Sequence, residues 1–230
     1  IIGSANSHIF DSIERLNYTK IIYMHHEQSL TMAMQTYYRT TKKIGVALVT
    51  AGGASANAIT GVISAWADSI PGLIISGQEN LRFVKKYKKN KMRMWGIQGF
   101  DSVKMVKDVT KYSNRLYDPK KIFYELDTCL HESLNSRPGP VWLDIPIDVQ
   151  GSYIKNYKVL KRFKGKNKLK QIDKNLKNKI KKIILGSKRP VIWLGNGVKV
   201  SDCVGLAHKL INKLNLPFFL SWSAIDVFDS

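Results

Sequence analysis

Gly45-Val46-Ala47-Leu48-Val49-Thr50-Ala51-Gly52-Gly53-Ala54-Ser55 passes from an apolar, β-branched run through small residues into a helical pattern. The run Val46–Thr50 predicts a strand covered on both faces. Small residues after it let a ligand approach the backbone, where the first-turn N–H groups of the following helix offer donors. A tight strand-to-helix turn with no ligand reads from the same residues.

The same alternation extends from Ala5 to Gln150. Apolar runs at Ile21–Met24, Leu73–Ser76, Val109–Tyr112 and Val141–Ile145 predict further strands. Helical periodicity falls at Asn6–Leu16, Gln28–Thr40, Ser55–Ala67 and Pro119–Asn135. Near-continuous apolar strands separated by helices predict an α/β fold with a parallel sheet flanked by helices on both faces. Pro138-Gly139-Pro140 and Pro146 suit the margins of the last strand, because proline cannot donate to a sheet interior. These boundaries predict a first domain over 1–150, a basic linker over 151–170, and a partial Rossmann-like α/β domain over 171–230. The last part reads as helix 172–185, strand 191–194, a Gly195-Asn196-Gly197 turn, helix 203–214 and strand 217–220. Gly195-x-Gly197-x-x-Val200 lacks the third glycine of a dinucleotide fingerprint, so a plain βα turn is the reading there.

The 230 residues are 44% hydrophobic, enough for one large or two smaller cores. No run of about 18 apolar residues argues for a membrane span, and the first residues lack the pattern of a secretory signal, which leaves the cytoplasm as the default compartment. The opening on Ile1 and close on Ser230 read as a piece of a longer protein. Cys129 and Cys203 stand far apart with no ligand at metal spacing, against a disulfide framework or a zinc site, and both read as small buried helix residues.

The net charge of +20 raises nucleic acid as a partner, so its distribution matters. Between Lys155 and Arg189 stand 15 Lys/Arg against Asp173 alone, and between Arg82 and Arg93 seven with no acid. The remainder is electrically ordinary. A basic linker and a basic loop read first as solvated surface; Tyr153, Tyr157 and Phe163 interleave with the lysines as stacking platforms do, but no nucleic-acid-binding motif accompanies them.

The residues with chemistry begin at His26-Glu27, where a β-like segment gives way to a helix. A carboxylate at the mouth of an α/β sheet sits where ligands bind and can exchange protons when desolvated. A Glu in a first helical turn also complements the helix dipole with no further role.

Taken in order, the motifs resemble the N-terminal pyrimidine-binding domain of thiamine diphosphate-dependent enzymes of the acetolactate synthase-like group. His26-Glu27-Gln28 is similar to its HEQ, Gly45–Thr50 to GVALVT, Asn57–Val62 to NAITGV, and Ala67–Pro71 to its A-x-DSIP turn. Ile74–Gln78 is similar to IISGQ, Thr110-Lys111 to the TK of a late strand, and Arg137–Pro146 to RPGPVxxDIP. Arg189–Ile192 with Gly195–Gly197 resembles the opening of the family's central domain.

The resemblance implies that Glu27 is catalytic: it hydrogen-bonds a ring nitrogen of the cofactor's aminopyrimidine and so promotes loss of the thiazolium proton. The activated carbon then attacks a 2-keto acid, carbon dioxide leaves, and the cofactor serves as electron sink. Such a Glu is expected to be buried beside the ring with its pKa raised. Gly52, Gly53 and Asn57 are implied as cofactor neighbours, and Gln98 and His26 as substrate-pocket residues. Gln98 as a surface-loop residue and His26 as a packed or exposed histidine stay open. The implied function is that of a lyase decarboxylating pyruvate or a related 2-keto acid, or of a carboligase that also transfers the acyl group to an acceptor. The alternatives are a noncatalytic homologue kept for binding or assembly, and a basic nucleic-acid-binding protein. Mg2+ and the diphosphate are implied to sit on a C-terminal domain absent from these residues, in a homodimer or homotetramer, and FAD is left undetermined. Three departures accompany the resemblance: Gly52-Gly53-Ala54 in place of a Gly-Pro-Gly turn, Met34–Arg39 in place of A-E-G-Y-A-R, and Ile97-Gln98-Gly99 in place of F-Q-E.

Overall fold

The computed structural model describes residues 1–90, 92–155 and 172–228. The chain divides into two compact units, Ile1–Gly165 and Lys166–Ser230. Of the linker expected over 151–170, residues 156–170, with Tyr157 and Phe163, lie outside the described residues.

The first unit contains α1 (Ser7–Leu16), α2 (Glu27–Thr41), β1 (Gly45–Val49), α3 (Gly53–Ala67), β2 (Gly72–Gln78), α4 (Leu81–Asn90), α5 (Ser102–Val106), β3 (Tyr112–Arg115), α6 (Ile122–Leu134), β4 (Pro140–Pro146) and α7 (Ile147–Gln150). The four strands form one parallel sheet in the order β1-β2-β4-β3. The two central strands are the most apolar, and every residue of β4 is buried. Pro140 and Pro146 occupy its first and last positions, where a missing N–H costs the ladder least.

Strand alternation sends neighbouring residues to opposite faces and so builds two cores. Ile74 and Trp142 join Met34 of α2, Ala58 and Val62 of α3 and Val106 of α5 on one face. Leu73, Val141 and Leu143 join Cys129 of α6 and Val149 of α7 on the other. Each fully buried Val, Leu or Ile contributes about 1.5–3 kcal/mol. The parallel sheet with helices on both faces is the architecture expected from the sequence.

Several local expectations are corrected. Ile21–Met24 forms no strand: the residues are irregular, Ile22 and Tyr23 are exposed, and Tyr23 packs edge-on against Phe10 of α1 at 5.9 Å. A strand needs a hydrogen-bonding neighbour, and among the described residues β1 is paired only with β2. The strand read at Val109–Tyr112 begins only at Tyr112, because Lys107–Val109 closes a 3-10 turn after α5. The basic stretch from Arg82 is not a loop but α4, with Asn80 Oδ1 accepting the Arg82 N–H at 3.0 Å and Val84 buried. Lys and Arg are good helix formers, and a dense run of one charge hides that propensity. Cys129 is buried within α6, whereas Cys203 is half-buried and precedes its helix.

The second unit contains α8 (Lys174–Gly186), β5 (Ile192–Leu194), α9 (Gly197–Val200), α10 (Val204–Leu214) and β6 (Phe218–Leu220). Here β5 and β6 pair in parallel, with Ile192 opposite Phe218 and Leu194 opposite Leu220. Ala207 and Ile211 of α10 are buried, as are Ala224 and Val227 of the 3-10 segment Trp222–Val227.

Candidate functional site

At the carboxyl end of β1 the chain turns through Gly52, whose φ of +75° is a conformation that L side chains rarely adopt. It enters α3 with no side-chain cap, which leaves the first-turn N–H groups of α3 without a side-chain acceptor. A Cβ on Gly53 would meet nothing within 4 Å, so open space adjoins this helix start. A Cβ on Gly52 would instead fall 2.9 Å from Gln98 Cβ. Gln98 therefore lies directly over the turn.

Glu27 is the first residue of α2 and is 8% exposed. Its Oε2 accepts a hydrogen bond from Asn57 Nδ2 at 3.2 Å. A carboxylate offers about four lone-pair positions, so one amide donor leaves capacity for a second donor. His26 caps the helix: its Nδ1 accepts the Gln28 N–H at 3.2 Å, and the residue is exposed.

What holds Glu27 against Asn57 is a polar ladder between α2 and α3. Thr31 Oγ1 lies 3.3 Å from Ala58 O and 3.1 Å from Glu27 O. One turn further, Gln35 Nε2 donates to Gly61 O at 2.9 Å, and Ser64 Oγ donates to Gln35 Oε1 at 3.1 Å. Glu27, Thr31 and Gln35 recur every four residues and so share one face of α2. Close approach requires Gly61, where a Cβ would fall 2.1 Å from Thr31 Oγ1. The departure at Met34-Gln35 is thus absorbed: Gln35 joins the ladder, and Met34 fills the space over Gly45 and Gly72.

Below the site lies a second network, centred on the fully buried Asp144 of β4. Its Oδ2 accepts from Ser102 Oγ at 2.7 Å, Gln78 Nε2 at 3.0 Å and Arg115 at 3.1 Å, and its Oδ1 accepts from Trp142 Nε1 at 2.9 Å. Arg115, 4% exposed, also pairs with Asp101 at 2.9 Å and lies over the Trp95 ring. The paired carboxylates raise its pKa against the opposing effect of burial. Gln78 is the last residue of β2 and fully engaged: besides Asp144 it binds Phe100 O and the Trp95 indole N–H.

The structure therefore brings Glu27 together with Asn57, and Gly52 with Gln98, while Gly53 opens the start of α3. It places His26 as an exposed helix cap. The roles of Thr31, Gln35 and Asp144 escaped the sequence reading. Their signals were a four-residue polar spacing on a helix and one acid inside an otherwise apolar strand. No group of three metal-binding side chains occurs among the described residues.

The first unit thus presents a parallel sheet with a buried Glu opening one helix and a glycine turn opening the next. Residues 1–105 match the family described as thiamine pyrophosphate enzyme, N-terminal TPP binding domain. Over 99% of its residues, this chain is 29% identical to the acetolactate synthase large subunit of Haemophilus influenzae. It is 30% identical to the mitochondrial acetolactate synthase of Schizosaccharomyces pombe, also over 99% of this chain. The large subunit of Lactococcus lactis is 28% identical over 94% of this chain. The chain spans 39%, 34% and 36% of these three relatives. No helix among the described residues is long and apolar enough to cross a membrane.

Proposed function

We propose that this chain is the N-terminal part of a thiamine diphosphate-dependent lyase or carboligase acting on pyruvate or a related 2-keto acid, with Glu27 as the group that activates the cofactor. The carrying observation is the buried Glu27 carboxyl, hydrogen-bonded by Asn57 beside an uncapped helix start. When bound, thiamine diphosphate supplies the electron sink for decarboxylation.

The residues present fit its aminopyrimidine end. Gly52 and Gly53 let a ring approach the backbone, because no Cβ stands at either position and the space beside Gly53 is open. Glu27 would hydrogen-bond a ring nitrogen through its carboxyl, with Asn57 fixing the rotamer of the carboxyl through Oε2. Largely closed to water at 8% exposure, the carboxyl interacts with a ring dipole more strongly than a solvated one would. Gln98, held over Gly52, supplies an amide for the substrate, and His26 keeps Glu27 at the helix start by capping α2. In this reading Mg2+ and the diphosphate are held outside these residues, by a further domain of a homodimer or homotetramer, and the second unit begins a central α/β domain over 171–230.

Glu27→Gln in the full-length protein tests the assignment. Exchange of the thiazolium C2 proton of bound thiamine diphosphate, followed by NMR, falls about 100-fold or more while folding is retained. An unchanged exchange rate rejects Glu27 as activator.

A further inference from the structure

Gln98 sits in a short loop whose backbone closes on itself: Trp95 N donates to Gly99 O at 3.0 Å, and Gly99 N to Trp95 O at 2.8 Å. Between them Gly96 takes φ +60°, a turn that aims successive N–H groups to one side. Those of Ile97 and Gln98 both reach Glu79 Oε1 at 3.3 Å. On the other flank the Trp95 indole donates to Gln78 Oε1 at 3.2 Å. Two consecutive residues at the end of β2 therefore grip the loop from two sides. Of the two, Glu79 holds the segment that carries Gln98.

We propose that Glu79 is a positioning residue for Gln98: its carboxylate, accepting the Ile97 and Gln98 N–H groups, holds Gln98 over the Gly52 turn and so sets how the site takes its 2-keto acid. The inference rests on the proposed function, in which Gln98 lines the substrate pocket. Three features support it. Both hydrogen bonds are charge-assisted, which makes one carboxylate a stronger anchor than a neutral acceptor. A cavity of about 470 Å³ lies beside the loop, bordered by Glu79, Phe83, Met92 and Ile97, so the loop has room to settle elsewhere once released. A Cβ on Gly96 would fall 2.6 Å from Glu79 Oε2, so the carboxylate fits against a position that tolerates no side chain.

The experiment compares Glu79→Ala, Glu79→Gln, Gln98→Ala and Glu79→Ala/Gln98→Ala in the full-length protein. By hydrogen exchange, the Ile97 and Gln98 amides accelerate about tenfold or more in Glu79→Ala, whereas Glu79→Gln, which keeps an amide oxygen as acceptor, accelerates them less. Unchanged exchange at these two amides overturns the inference. In turnover, Glu79→Ala and Gln98→Ala each raise the half-saturating pyruvate concentration about fivefold with a smaller change in kcat, and the double variant matches Gln98→Ala alone. Multiplying effects in the double variant show that Glu79 acts elsewhere, and overturn it. Absence of pyruvate turnover in the unsubstituted protein counts against the proposed function and leaves the exchange readout to decide the anchoring.

Discussion

Asn57 Nδ2 donates to Glu27 Oε2 at 3.2 Å, across 30 residues of sequence, and this contact joins the starts of α2 and α3. Each residue opens or nearly opens its own helix, so the geometry of the pair is set by how the two helices pack. Asn57→Ala removes a donor to a carboxylate and costs about 1–2 kcal/mol of stability. Asn57→Asp costs more at pH 7, since it sets two carboxyls within hydrogen-bonding distance. Urea denaturation at pH 7 and pH 4 checks this: the excess cost of the Asp variant shrinks at pH 4, where the pair can share a proton.

Packing between α2 and α3 depends on a missing side chain. A Cβ at position 61 meets Thr31 Oγ1 at 2.1 Å, and neither helix can yield without moving the Gln35 ladder. Gly61→Ala is therefore expected to destabilise the unit by about 1–3 kcal/mol. Adding Thr31→Ala removes the obstructing atoms and recovers part of the loss, a coupling that a double-mutant cycle in denaturant measures.

Asp144 gathers four donors in a site with no exposed surface. Asp144→Asn turns one acceptor into a donor facing donors and leaves the buried Arg115 with Asp101 as its remaining carboxylate partner. The expected loss is about 3–5 kcal/mol, read as a lowered midpoint in thermal or urea unfolding. Asp101→Asn, at the half-exposed end of the same ion pair, is expected to cost about 1 kcal/mol or less.

Burial, with a smaller contribution from the neighbouring Glu125 carboxylate, pushes the Cys129 thiol up to about 12. Burial and the hydrogen bond to Glu125 likewise raise Tyr112. For an acid whose folded pKa is raised, the unfolded chain loses its proton first, so stability falls as pH rises above the unfolded value. The fall should begin near pH 9 and, for Cys129, level off near pH 12. Cys129 contributes a slope of up to about 1.4 kcal/mol per pH unit in that window, and the more exposed Tyr112 contributes less. Cys129→Ser should flatten the alkaline limb of a stability-against-pH curve; an identical limb in the variant rejects this account. In the native protein at pH 8, the half-buried Cys203 should be alkylated ahead of Cys129.

The amino-acid sequence alone determined the architecture and the position of Glu27 along the chain. Runs such as Val141–Ile145 between proline margins have few ways to bury both faces, and a parallel sheet covered by helices is the one that suits strands alternating with helices. Small residues after β1 and a Glu at a helix start are local features, readable without knowing what they touch. Only the tertiary structure decided that Ile21–Met24 stays unpaired, that Arg82 lies in a helix, that Glu27 meets Asn57, and that Gln98 lies against Gly52 with its N–H on Glu79. The physical reason is common to all of them. Periodicity records which face of an element is apolar, whereas a strand's partner, a carboxylate's donor or a loop's anchor comes from residues far along the chain. Those meet only when whole elements pack, at separations that a local pattern does not encode.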